Sequence, residues 1–409
     1  MRYRSPQGRT SVARKLLVSL SVLCLVVAAC GESEPSDGGA TSAATTAAPV
    51  TTAAPVTTAA PATTAAPDTT AAPATTAAPD TTAAPDTTAT PDTTAAPPER
   101  ATVRIALDFI PNTNHAGVFI ARSMGMFERE NLDVEIVPWA FTVTGVLVAA
   151  GDADLGIAYP PDVLREVALG SSLKIVAAII QENNVALVVP ADSPYETAAD
   201  LDAAESYGGY GTPHERPLVT EMLMAAGAAT PGDFQEVVLQ GGAIEALIED
   251  RVDFSAVFQG WSEIAARLRG TELRLFPYVD FIPEIVYPDV VFIARSEMIE
   301  QQPGVLERAL RALGDAYTFA AENPDQAADI LISEVTDLQQ SEDLVRESAH
   351  YRAPQYLNDA GTWGCVQPSH FAGIGGLLER SGVLLDEDGQ VVTAPEFAVY
   401  ATNELLANC

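Results

Sequence analysis

The sequence predicts an α/β fold of two lobes with a ligand cleft between them, and three observations lead there. From Ala101 onward, short apolar runs rich in β-branched residues ("TVRIALDFI", "LDVEIVPW", "ADLGIAY", "LKIVAAII", "VALVVP") alternate with helical patterns such as "GVFIARSMGMFERE" and "VTGVLVAAGD". Alternation of this kind builds a largely parallel sheet covered by helices. A second set follows, with "ESYGGY", "ERPLVTEMLMAAG", "FQEVVLQ", "AIEALIEDR" and "FSAVFQG". Finally, "ALVVPADS" and "DVVFIARS" resemble each other and suit a pair of crossovers between lobes. The expected lobe 1 takes about 101–188 and 290–409, and lobe 2 about 189–289. After the second crossover the chain reads as helices, "GVLERALRALGDAYTFAAENPDQAADILISE" most clearly.

Two segments precede this domain. Residues 1–29 join a basic stretch (Arg2, Arg4, Arg9, Arg14, Lys15) to the apolar run Leu16 to Val27, the pattern of an export signal. Val27-Ala28-Ala29-Cys30 resembles the lipobox of bacterial lipoproteins, which implies cleavage before Cys30 and a diacylglycerol on its thiol. The expected location is therefore the outer face of the cell membrane, with the lipid at Cys30 as anchor. Residues 30–100 form a spacer built largely on T-T-A-A-P-x repeats, with too few large apolar residues to bury a core. Fully extended, its Pro-rich part would reach on the order of 180 Å at about 3.1 Å per residue.

Charge narrows the partners. The chain holds 22 basic and 55 acidic residues, and loss of the signal leaves 17 basic ones. Such a surface repels phosphate backbones, so no nucleic acid is expected as a partner. Of the four cysteines, Cys24 leaves with the signal and Cys30 carries lipid. Cys365 and Cys409 remain in an oxidising compartment and are expected to pair as a disulfide. No histidine pattern accompanies them, so no metal site is indicated.

Ligand-binding candidates gather where strands end. In "LDFIPNTNHAG" the strand hands over to a helix through Asp108, Phe109, Asn112, Asn114 and His115. These offer a ring face and polar groups at a helix N-terminus, or else satisfy local backbone groups. His115 has no recognisable nucleophile or base partner nearby, so no catalytic residue is assigned. In "GGYGTPHERP", Tyr210, Thr212 and Glu215 follow glycines that admit a close ligand, while Thr212 and Glu215 also fit a capping box. The segment lacks the lysine and spacing of a phosphate-binding loop. Gln259 and Trp261 follow the strand "FSAVF", Tyr159 follows "DLGIA", and Trp363 lies in the turn-rich "NDAGTWGCVQP". Together the aromatic residues suggest a cleft that sandwiches a flat ring.

The run "LDFIPNTNHAGVFIARSMGMFERENLDVEIV" resembles the opening of the substrate-binding proteins related to thiamine pyrimidine synthase. The likeness continues at "GDADLGIAYPPDVL", "YGGYGTPHE", "FQGWSEI", "ENPDQAADIL" and "TWGCVQP", and spans nearly all of 101–409. It implies a type II periplasmic-binding-protein fold that closes on a small molecule and delivers it to an ABC permease and its ATPase. By that resemblance Asp108, Phe109, Asn114 and His115 line the cleft from lobe 1, and Tyr210, Thr212, Glu215 and Trp261 from lobe 2. Phe109 stands where the family commonly has tryptophan. A thiamine-precursor pyrimidine is the expected cargo, with riboflavin, an alkanesulfonate or nitrate as alternatives. A monomer without cofactor is expected.

The eukaryotic enzymes of this family use a lysine, a consumed histidine and a cysteine run. By resemblance these fall near Ala158, Asp162 and "EIVYPD", and none is present here. The single lysine after the signal, Lys174, opens another strand, so an enzyme is not expected. A stalked adhesion or sensor protein is the reading that the spacer alone would permit.

Overall fold

The computed structural model describes residues 98–409 apart from 141, 142 and 240. The expected signal, Cys30 and the spacer up to residue 97 lie outside the described residues. Among the described residues, ten strands form two sheets. The first holds β1 (Ala101–Ala106), β2 (Leu132–Val137), β3 (Leu155–Ala158) and β4 (Leu173–Ala178). The second holds β5 (Val185–Pro190), β6 (Ser206–Gly209), β7 (Gln235–Val238), β8 (Phe254–Phe258) and β9 (Leu273–Pro277). The chain then returns as β10 (Val291–Arg295), giving the orders β2-β1-β3-β10-β4 and β7-β6-β8-β5-β9.

Each sheet is parallel except around one strand. β10 runs antiparallel to β3 and β4, and β5 runs antiparallel to β8 and β9. Both are the strands that arrive from the other lobe, and so enter their sheet from the opposite end. The first passage falls at residues 179–184, because β5 pairs wholly within the second sheet; the boundary near 188 moves forward accordingly. The two passages are bonded to each other, with the Ile179 N–H donating to Val290 O and the Asp289 N–H to Ile180 O (2.9 and 3.0 Å).

One face of the first sheet is covered by helices Ala116–Ser123, Pro303–Glu322 and Pro324–Glu334. Leu306, Leu310, Leu313 and Tyr317 recur at helical spacing and are all buried there against Val103, Ile105 and Phe292. Gly117 lets the two helices approach closely, since a Cβ there would lie 2.4 Å from the Tyr317 ring.

The other face belongs to a core that continues into the second lobe, from Leu164, Ile175 and Ile293 to Leu187, Tyr207 and Phe254. Helix Ser369–Arg380 closes this core with Phe371 and packs against helices Pro160–Ala168 and Glu215–Ala225 of opposite lobes. Arg380 pairs with Glu221 (2.6 Å), and Gly373 sits so close to the returning passage that a Cβ would meet Glu284 O. Cys365 and Cys409 are joined, with their Cα atoms 5.5 Å apart.

Candidate functional site

The carboxyl end of β1 delivers Asp108 and Phe109, and a short 3-10 turn, Thr113–His115, follows. Asn112 caps that turn: its side chain accepts from the Asn114 N–H (2.8 Å) and donates to Ile110 O (3.1 Å). Asn112 is buried and its side chain is engaged with its own loop. His115 has no exposed surface. Its Nδ1 accepts from the Asn112 N–H (3.1 Å), so the ring proton sits on Nε2 and is donated to Asp108 Oδ1 at 2.8 Å. Of the expected pair, Asp108 is the partly exposed group and His115 the support behind it. Asn114 is half-buried, its carbonyl tied to the Tyr317 hydroxyl (2.7 Å).

Aromatic residues lie near Asp108: Phe109 follows it in the chain, and Tyr159 is close enough to feel its charge. Phe109 meets Trp139 with centroids 4.9 Å apart, and Trp139 comes from the segment just beyond β2. Tyr159, at the end of β3, meets Phe258 at the end of β8 (5.6 Å), which brings aromatic groups of the two lobes together. Trp261 packs partly buried against the core of the first lobe, so it too crosses between lobes. Trp363 is not in the cleft. It is buried in the first-lobe core, stacked on Tyr317 at 5.3 Å and edge-on to Phe292, where Gly314 leaves room for its ring.

In the second lobe, Glu215 Oε1 accepts from the Tyr210 N–H and Oε2 from the Thr212 N–H, both at 2.9 Å. With both oxygens occupied and the side chain buried, Glu215 holds the loop and the exposed Tyr210 in place. It is not a free carboxylate. Thr212 Oγ1 lies 3.2 Å from His214 Nε2. Gln259 donates from Nε2 to Asn184 O (3.1 Å), tying the second lobe to the first passage.

Several residues of the site carry no local sequence signal. Asp289, on the returning passage, pairs with Arg352 of helix Glu342–Arg352 at 3.4 Å, and both are buried. Burial pushes the Asp289 carboxyl up to about 6, against the pull of Arg352 and the Tyr159 hydroxyl. Arg352 Nη1 also donates to Gln355 Oε1 (2.8 Å), which accepts from Asn184 Nδ2 (3.1 Å). Gly260 permits this arrangement, because a Cβ there would stand 2.6 Å from Arg352 Nε. A second contact across the lobes joins Asp162 Oδ1 to His214 Nδ1 at 3.4 Å. Burial raises the Asp162 carboxyl, but His214 and then Arg165 outweigh it and hold the group below its ordinary range.

Among the described residues, no group of three or more His, Cys, Asp and Glu side chains is placed to hold a metal. What the arrangement brings together where the lobes meet is ring faces, one positioned carboxylate and a set of buried polar groups.

Comparison with known proteins bears on the family and the fold. A formylaminopyrimidine-binding protein of Halalkalibacterium halodurans is 29% identical over 238 residues, covering 57% of this chain and 70% of that protein. The ligand-binding component of an ABC-type import system from Staphylococcus aureus superposes with a TM-score of 0.57 at 18% identity, covering 76% of this chain and 99% of its own. The alkanesulfonate-binding protein of Xanthomonas axonopodis gives a TM-score of 0.54 at 17% identity, covering 72% and 97%. At such identities these likenesses speak for the fold, which is that of the type II periplasmic binding proteins. Residues 112–327 match the family described as NMT1/THI5 like, and the chain belongs to that family.

Proposed function

We propose that this chain is the extracytoplasmic solute-binding component of an ABC importer, held to the membrane by lipid at Cys30. Its cargo in this reading is a thiamine-precursor pyrimidine of the formylaminopyrimidine or hydroxymethylpyrimidine type, which the monomeric protein hands to a permease and its ATPase. The observation that carries the reading is Asp108, positioned by buried His115, followed by Phe109 of the Phe109–Trp139 pair and within electrostatic reach of Tyr159, which meets Phe258. Stacking faces around one carboxylate fit a flat ring bearing an amino group.

An anion such as a sulfonate or nitrate asks for uncommitted positive charge. Arg352 is already neutralised by Asp289, and Arg216 donates to Gly232 O and Phe234 O. The halodurans relative supports the pyrimidine over riboflavin. Ala158 and Asp162, at the positions where the resemblance puts the enzymes' lysine and histidine, support binding without turnover.

The test is calorimetric titration of the purified protein with formylaminopyrimidine, hydroxymethylpyrimidine, thiamine, riboflavin, taurine and nitrate. One pyrimidine is expected to bind with a Kd of about 1 μM or tighter. Asp108→Asn should weaken it at least about tenfold. Binding of taurine or nitrate alone would overturn the cargo assignment. For the anchor, Cys30→Ser should move the protein from the membrane fraction to the medium or periplasm.

A further inference from the structure

Buried polar atoms without a hydrogen-bond partner gather on the two passages between the lobes and on the helix behind them. They include Gln181 Nε2, Asn184 Oδ1, Asp289 Oδ1, Arg352 Nε and both polar atoms of Asn183. Asn184, Asp289 and Arg352 are each anchored through another atom, to Gln355 or to one another. Asn183 differs. It is 4% exposed, and neither its Nδ2 nor its Oδ1 is bonded. The Tyr287 hydroxyl is beside it but without hydrogen-bond geometry.

A folded protein seldom leaves a whole carboxamide buried and unpaired, because desolvating it brings no return. Nor is the position loose. The next residue, Asn184, accepts at its carbonyl from both the backbone N–H and the side chain of Gln259, which pins the passage. The passage joins the two sheets, and Tyr287 links Asn183 to the neighbourhood of Asp162, where the lobes meet at His214.

We propose that the Asn183 carboxamide is the group that reads the ligand's edge, and that it takes an edge with a hydrogen-bond donor beside an acceptor. An aminopyrimidine has such an edge, an exocyclic amino group next to a ring nitrogen. The carboxamide oxygen accepts from the amino group while its NH2 donates to the ring nitrogen, as Asn and Gln pair with adenine. This rests on the pyrimidine reading above.

The test compares Asn183→Leu and Asn183→Asp with the wild type, using the full mature chain. Leucine keeps the branching at Cγ and the number of heavy atoms, at a somewhat larger size, and removes both polar atoms. Ligand-free Asn183→Leu should melt at the same or a higher temperature, since an unpaired polar group is replaced by an apolar one. Its affinity for formylaminopyrimidine should fall about ten- to a hundredfold. Asn183→Asp should lose a similar factor at neutral pH, where an acceptor faces the ring nitrogen, and regain part of it as the pH is lowered and that nitrogen protonates. A melting temperature several degrees lower for ligand-free Asn183→Leu would overturn the proposal, because the carboxamide would then be satisfied structurally. So would an affinity within twofold of wild type. If the wild type binds a different member of the ligand panel, the pyrimidine assignment falls separately. The same melting comparison, and that ligand's affinity for Asn183→Leu, then decide the role of Asn183.

Discussion

His115 Nε2 donates to Asp108 Oδ1 at 2.8 Å, and the histidine side chain is fully buried while the carboxylate keeps 15% of its surface. The imidazole therefore acts on a ligand only through the acid it orients. Truncating it removes a buried ring, strands the Asn112 N–H and frees Asp108 to rotate. His115→Ala should cost about 2–4 kcal/mol in urea melts and weaken ligand binding at least about tenfold. Unchanged affinity with lowered stability would leave His115 a core residue only.

Trp139 and Trp363 should report differently. Trp139 touches Phe109 beside Asp108, whereas Trp363 is stacked inside the first-lobe core. Ligand-induced fluorescence change should survive Trp363→Phe and shrink strongly in Trp139→Phe. Trp363→Phe should instead lower stability by about 1–3 kcal/mol through lost ring area.

Asp162 and His214 hold opposite lobes together. Because the Asp162 carboxyl is held below its ordinary value in the folded chain, its contribution is present above the unfolded value and is lost as pH falls through the folded one. His214→Ala removes that partner. Stopped-flow dissociation should become a few-fold faster in the variant at neutral pH, and the gap to wild type should close as the acid protonates.

Glu166 gives the opposite sign. Burial first, then neighbouring Asp162, push its carboxyl up to about 7, with Arg165 opposing, and its side chain leans over Gly145. A raised acid binds more protons folded than unfolded, so it drains stability as pH rises from the unfolded value to about 7. Glu166→Gln should be neutral near pH 4 and stabilising by roughly 1 kcal/mol at pH 8, with solvent screening reducing the gain.

The strands were legible because they are short apolar runs, and nine of the ten strands among the described residues fall on such runs. β9, "LRLFP", escaped because it is an edge strand carrying Arg274, whose head reaches Ala191 O and Tyr195 O. Asp108 and the rings at strand ends were legible from their place in the pattern. Glu215 and Asn112 were legible as residue types suited to either role, and the structure assigns both to their own loops. Asp289 with Arg352 had no local signature: 63 positions separate two ordinary charged residues that only the tertiary fold joins. Trp139 follows a strand end directly, and the rule applied to Phe109 would have found it.

The paired passages also limit how the molecule can move. Backbone hydrogen bonds make 179–180 and 289–290 a short two-chain ribbon, which is stiff to stretching and soft to twist. Helix Ser369–Arg380 adds a third tie, touching both lobes and joined to the second by Arg380 and Glu221. Two bodies fastened along one line and strapped at its flank keep a single easy coordinate, a swing about that line, as in a book opening on its spine. Every group then travels on an arc whose radius is its distance from that line, so Asn183 and Asp289 at the spine stay nearly still while groups farther out sweep wider paths.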